Sequence, residues 1–92
     1  MIGVGRWVLY LPGCHSLKAK RSIMSGLKRR LRTEFQVSVA ETDFQDRWRT
    51  AELSAALVAP ERTVAESILS RLDRRVDSDP RARVVERETA LY

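Results

Sequence analysis

The chain has 92 residues, with 17 lysine and arginine side chains against 12 aspartates and glutamates, and a net charge of +5. This length predicts one domain over residues 1–92, large enough to bury a core without a disulfide or a structural metal. Cys14 is the only cysteine and His15 the only histidine, which excludes an internal disulfide and leaves too few ligands for zinc. The apolar opening stretch lacks a basic leader, is interrupted by Arg6 and is too short to cross a bilayer. We therefore expect a soluble, cytoplasmic protein that uses no metal, cofactor or membrane.

The positive charge is concentrated in one segment. Residues 16–34 hold seven cations and one anion, a balance of +6, so the rest of the chain is close to neutral. Such a segment is typical of a surface that contacts a polyanion, and also of a solvated amphipathic helix. Arginine outnumbers lysine 14 to 3 and asparagine is absent, which favours a thermophile source and offers another explanation for some of the arginine.

The first third of the chain predicts a strand followed by a helix. Residues from about 2 to 11 are rich in valine, leucine, tryptophan and tyrosine, and Pro12 with Gly13 ends this strand. Ser16 is a favourable N-cap for a helix over residues 17–34. One side of this helix carries the apolar residues Leu17, Met24, Leu27 and Leu31. The opposite side carries Lys18, Ser22, Ser25, Arg29 and Arg32.

The remaining residues predict a hairpin, a second helix and a last strand. Residues 35–41 and 47–59 alternate between apolar and polar, with a short polar turn between them. Pro60 suits the start of a helix whose apolar residues recur every four positions, and residues 82–92 form a fourth strand. The order β-α-β-β-α-β is typical of the ferredoxin-like α+β fold, a four-stranded antiparallel sheet with two helices on one face.

A ferredoxin-like fold leaves one face of its sheet uncovered. Apolar side chains occupy both faces of the first strand, with Val4, Val8 and Tyr10 on one and Trp7, Leu9 and Leu11 on the other. One of these rows must lie on the open face, where a contiguous apolar patch needs a ligand or a second copy of the chain. Of the two, a homodimer is the commoner outcome.

Two stretches of the chain resemble a known family. "HSLKAKR" (residues 15–21) and "FQVSVAETDFQDRW" (residues 35–48) are similar to signature stretches of the YlxP-like family of small bacterial domains of unknown function. The resemblance implies a ferredoxin-like fold and no particular activity, and genes of this family often lie near those for translation initiation and ribosome maturation factors. Ala19, Gln36 and Arg49 depart from the usual Glu, Asn and Gln. Glutamate at position 19 would complete a capping box, so its absence leaves the helix start more positive.

The basic helix and the loop after the second strand carry the candidate binding residues. Cations in the first turns of a helix oppose its dipole, which favours an anion beside them. The helix could therefore contact phosphates, while aromatic residues stack on unpaired bases. The predicted nucleic-acid-binding residues are Lys18, Lys20, Arg21, Lys28, Arg29, Arg32, Arg47, Trp48 and Arg49. Trp7 and Tyr10 are further candidates for stacking, although the Gly and aromatic pattern of RNA-recognition modules is absent. The alternatives are a solvated helix face that binds nothing and a site for a small anionic ligand.

Three carboxylates, Glu41, Asp43 and Asp46, lie close in sequence around the predicted turn. Such a group can hold Mg²⁺ or Ca²⁺, but the spacing is not that of a known calcium loop. Hydrogen bonds to nearby backbone N–H groups and ion pairs with the neighbouring arginines are the favoured roles, so no metal site is predicted. The family resemblance makes Gln45 and Asp46, together with Trp48, a candidate partner surface.

No catalytic site is predicted. Cys14 and His15 are adjacent in sequence, which supplies no hydrogen-bond geometry, and no third group is evident to orient them. Glu86 and Glu88 alternate with Arg87, a pattern typical of an edge strand protected by charge rather than of paired catalytic carboxylates.

The sequence thus favours a non-enzymatic cytoplasmic domain that contacts RNA or a ribosomal particle through its basic first helix, in ribosome assembly or translation. The alternative is a regulatory domain that binds a protein or a small molecule through the open sheet face as a homodimer. In that alternative the basic helix is merely solvated.

Overall fold

The computed structural model describes all 92 residues and contains six elements in the predicted order. The strands are β1 (Ile2–Tyr10), β2 (Ser38–Asp43), β3 (Thr50–Val58) and β4 (Arg83–Leu91), and the helices are α1 (Leu17–Glu34) and α2 (Arg62–Asp77). The strands form one antiparallel sheet in the order β2-β3-β1-β4. The predicted ferredoxin-like α+β fold is confirmed, with β1 and β3 as the central strands.

Both helices pack on the same face of the sheet. The core lies between the helices and the sheet. Every second residue of β3 points into this core, and the apolar sides of α1 and α2 cover these residues. The buried apolar residues of the helices are Met24, Leu27, Leu31, Ala65, Leu69, Leu72 and Val76. Neither helix combines the length and the apolar character needed to cross a membrane.

The structure decides which row of β1 faces the helices. Trp7 and Leu9 are fully buried beneath them, whereas Val4, Val8 and Tyr10 lie on the open face. The Trp7 indole Nε1 donates a hydrogen bond of 2.8 Å to Asp73 Oδ1 of α2. The suggestion that Trp7 stacks on a base is therefore corrected, because its ring belongs to the core.

The open face is not one contiguous apolar patch, because Arg6 lies at its centre. Its guanidinium donates to Glu52 Oε1 at 2.7 Å and to Glu86 Oε2 at 2.9 Å, and its Nε lies 3.8 Å from Glu88 Oε1. The Thr42 hydroxyl, followed by Arg6, lowers the pKa of Glu52 below its usual range. A polar network thus separates the apolar residues at the two ends of this face.

The predicted hairpin is correct in kind but wrong at its ends. β2 begins at Ser38 instead of residue 35, because the Phe35 N–H donates to Leu31 O and so caps α1. β3 begins at Thr50 instead of Arg47, because residues 44–49 form an irregular loop. This longer connection, here called the β2–β3 loop, contains five of the eleven residues predicted to bind nucleic acid or a partner.

A buried aspartate joins the end of α2 to α1. Asp79 is 5% exposed and accepts hydrogen bonds from the guanidinium and the backbone N–H of Arg81. Arg30 of α1 lies 3.6 Å from the same carboxylate. These donors, with the Arg81 side chain contributing most, hold the pKa of Asp79 below its usual range. Arg30 therefore has a carboxylate partner within the fold, unlike Arg29 and Arg32 beside it.

Candidate nucleic-acid interface

Five cations line the exposed side of α1. We call them the α1 stripe: Lys18, Arg21, Lys28, Arg29 and Arg32. The helix begins as expected, since Ser16 Oγ accepts from the Ala19 N–H at 3.0 Å. At 1.5 Å of rise per residue the stripe extends about 21 Å along the helix. Lys28 is half-buried and the other four members are exposed.

No member of the α1 stripe forms a salt bridge. The one hydrogen bond made by a side chain of the stripe runs from the Arg32 guanidinium to Val39 O, at 2.7 Å. Six of the fourteen arginines do pair with carboxylates, and all six lie outside the stripe: Arg6, Arg30, Arg62, Arg75, Arg81 and Arg87. Ion pairing within the fold therefore explains those six arginines and leaves the stripe unexplained.

The two helices differ in their balance of charged residues as well as in their salt bridges. α1 contains seven cations and one anion, whereas α2 contains four cations and three anions. The concentration of unneutralised charge on one helix gives the domain a strongly positive side. An exposed helix that only needed to be soluble would not require such a one-sided distribution.

Lys20 does not belong to this surface. Its side chain is 2% exposed, its Nζ donates to Phe44 O at 2.6 Å, and the same Nζ lies 2.9 Å from Glu41 Oε2. The prediction that Lys20 contacts nucleic acid is corrected, because its ammonium is buried against the β2–β3 loop. The sequence did contain a signal for this position. Lys20 precedes Met24 by four residues and Leu27 by seven, which is the spacing of the buried side of a helix.

The β2–β3 loop turns sharply at the residue that Lys20 contacts. Phe44 has a φ of 62°, a conformation that costs a bulky side chain about 1–3 kcal/mol. Local contacts offset this cost. Asp43 Oδ1 accepts from the Phe44 N–H at 2.7 Å, and the Arg47 N–H donates to Phe44 O at 3.0 Å. The Arg47 guanidinium also lies 5.2 Å from the centre of the Phe44 ring.

The far end of the loop is tied to the residues that precede α1. Arg49 Nε donates to Cys14 O at 3.1 Å, and another guanidinium nitrogen of Arg49 lies 3.3 Å from His15 Nδ1. The Leu11 N–H donates to Arg49 O at 2.8 Å. Because Lys20 also contacts Glu41 and Phe44, the two stretches that carry the family resemblance, residues 15–21 and 35–48, are in contact at one end of the domain.

The remaining loop residues are exposed to solvent. Trp48 is 51% exposed, and Gln45, Asp46 and Arg47 are exposed beside it. The Gln45 amide donates weakly to Glu41 O at 3.4 Å. Of the three carboxylates considered for a metal, Glu41 points toward Lys20, and no cluster of three acidic, histidine or cysteine side chains forms anywhere in the chain.

Residues 2–89 match the model of a family described as "Protein of unknown function (DUF503)". The chain belongs to the DUF503 family. It is also 31% identical over 80 residues to "Uncharacterized protein YlxP" of Bacillus subtilis (strain 168), an alignment that covers 87% of each protein. The resemblance to the YlxP-like family is therefore confirmed over most of the chain. The family description itself assigns no activity or ligand.

In this DUF503 domain, the β2–β3 loop lies against the residues that precede α1, at the end of the helix where the α1 stripe begins. Arg49 contacts His15, which is the residue directly before the N-cap of α1. Arg47 and Arg49 add two cations that, like the stripe, have no salt bridge. The combined surface offers guanidinium groups, which suit phosphate oxygens, next to an exposed indole ring.

Proposed function

We propose that this domain is a non-enzymatic module that binds RNA through the α1 stripe. The observation that carries the proposal is that five cations share one exposed side of a helix and none of them has a salt-bridge partner. A nucleic-acid backbone is the common biological ligand that presents negative charges in a row. The gene neighbourhood implied by the family resemblance supports a setting in ribosome assembly or translation.

The electrostatics of the free domain favour a polyanionic ligand. Lys18 and Arg21 are three residues apart on α1, and Arg32 lies three and four residues from Arg29 and Lys28. Like charges at these spacings repel each other and cost a helix a few tenths of a kcal/mol per pair, roughly. Phosphates placed along the stripe would relieve this repulsion and release the counterions of the RNA.

Removal of three stripe charges is expected to weaken RNA binding roughly 100-fold at 0.1 M salt, since each phosphate contact contributes about 0.7 to the logarithmic salt slope on single strands. The variant combines Lys18→Gln, Arg21→Gln and Arg29→Gln, all exposed and without structural contacts. Affinity is measured by fluorescence anisotropy with a labelled fragment of ribosomal RNA.

The matched control removes three other exposed arginines that also lack a salt bridge, through Arg71→Gln, Arg74→Gln and Arg83→Gln. It changes the net charge by the same amount but lies on α2 and β4. We expect the control to bind RNA nearly as tightly as the wild type. Equal weakening in both variants would mean that overall charge, and not the stripe, attracts the RNA.

A second candidate function is self-association through the open sheet face. The observation that favours it is the cross-strand pair Ile2 and Val58, which are 47% and 81% exposed at one end of that face. Adjacent apolar side chains exposed to this degree favour a partner surface. A folded wild-type domain that forms a dimer and binds no RNA would favour this candidate over RNA binding.

A further inference from the structure

The two tryptophans of the chain occupy opposite environments. Trp7 is 0% exposed and donates to Asp73, whereas Trp48 is 51% exposed on the β2–β3 loop. A tryptophan left half in water contributes little to folding for its size, because burial of its apolar area is the source of its stabilisation. Trp48 is therefore a residue whose position the core does not explain.

The loop that carries Trp48 is anchored on both sides of it. Before Trp48, Phe44 O accepts from the buried Lys20 ammonium. After Trp48, the backbone and side chain of Arg49 bond to Leu11 and Cys14. An anchored loop presents its side chains with little ordering cost on binding. Trp48 thus has the setting of a fixed platform rather than that of a residue on a mobile loop tip.

Trp48 lies on a loop that contacts the residues just before α1, where the α1 stripe begins. Arg49 contacts His15, and the first stripe residue, Lys18, follows three residues later. Arg47 and Arg49 flank Trp48 and form no salt bridge. A nucleic acid that follows the stripe toward the start of α1 would therefore approach the loop that carries the exposed Trp48 with Arg47 and Arg49.

We propose that the RNA bound at this end of the domain is single-stranded, with an unpaired base stacked on Trp48 and its phosphates beside Arg47 and Lys18. This inference rests on the proposed function of the α1 stripe. A duplex offers phosphates to the stripe but keeps its base faces buried in the stack, so only an unpaired base can use the indole. Stacking of this kind tolerates any base, and no sequence preference is expected from Trp48.

The test compares one single-stranded RNA with a blunt-ended duplex of the same length and similar composition, bound to wild type, W48A and W48F. We expect W48A to raise the Kd for the single strand about 5- to 150-fold and to leave the Kd for the duplex within about twofold. W48F keeps an aromatic face and should recover most of the affinity. The single strand should also quench the tryptophan fluorescence of the wild type, since Trp7 is buried and Trp48 is not.

The outcomes separate this inference from the proposed function. The wild type could bind both RNAs, the triple variant of the α1 stripe neither, and W48A both as tightly as the wild type. This result would overturn the stacking inference and leave RNA binding by the α1 stripe intact. Equal losses in W48A and W48F, in folded protein, would overturn it as well. Wild-type protein that binds neither RNA would contradict the proposed function itself.

Discussion

Replacement of Lys20 by methionine is expected to lower the free energy of unfolding by about 3 kcal/mol, because it removes one partner of a buried ion pair and leaves the other. Methionine fills most of the space of the lysine stem, so the loss would not arise from a cavity. The Glu41 carboxylate, 17% exposed, would lose its cation, and Phe44 O would keep only the Arg47 N–H as a donor. Urea unfolding followed by circular dichroism measures the change.

Two further variants make the Lys20 prediction specific. Lys18→Met makes the same chemical change on the exposed side of α1 and should alter stability by less than about 0.5 kcal/mol. The double variant Lys20→Met with Glu41→Leu removes both charges and should recover most of the loss. A double variant as unstable as Lys20→Met alone would show that the ion pair is not the source of the effect.

Replacement of Trp7 by alanine is expected to cost about 3–5 kcal/mol of stability, as for other large aromatic residues in cores. The ring is fully buried and lies over Gly5, where a Cβ would come within 2.9 Å of Trp7 Cζ3. Asp73 would lose the indole donor and keep only its salt bridge with Arg87. Thermal and urea unfolding measure the loss.

The conservative variant Trp7→Phe separates the two contributions of this side chain. It keeps much of the apolar volume but removes the Nε1–H group that donates to Asp73. Loss of a hydrogen bond to a charged group costs about 1.5–3 kcal/mol, so Trp7→Phe should lie between the wild type and Trp7→Ala. A stability equal to that of the wild type would show that the bond to Asp73 contributes nothing.

The element order and the fold could be predicted because the periodicities are clear. Apolar residues recur every three or four positions in α1 and α2 and every second position in β3. The limits of β2 and β3 could not be predicted, because the left-handed turn at Phe44 and the tie from Arg49 to Cys14 depend on long-range contacts. Alternation in the first strand defines two rows but does not say which row the helices cover.

The sequence predicted where the cations of the candidate site lie, but it did not predict which of them form salt bridges. The α1 stripe follows from sequence spacing, whereas the absence of salt bridges along it is known only from the structure. The position of Lys20 was predicted wrongly because a lysine is seldom buried without a partner. Its partners, Glu41 of β2 and Phe44 of the β2–β3 loop, lie more than twenty residues later in the chain. The contact between the two family-like stretches depends on these same long-range bonds.

Binding of RNA phosphates by the α1 stripe can be tested through the salt dependence of the affinity of the wild-type protein. Affinity for a single-stranded RNA is measured between about 50 and 200 mM salt, with folding checked at each concentration. Five phosphate contacts at about 0.7 each predict a logarithmic slope near −3.5, which is roughly a 100-fold loss of affinity over this range. A folded protein that binds no RNA, or binds it with no dependence on salt, would contradict phosphate binding by the α1 stripe.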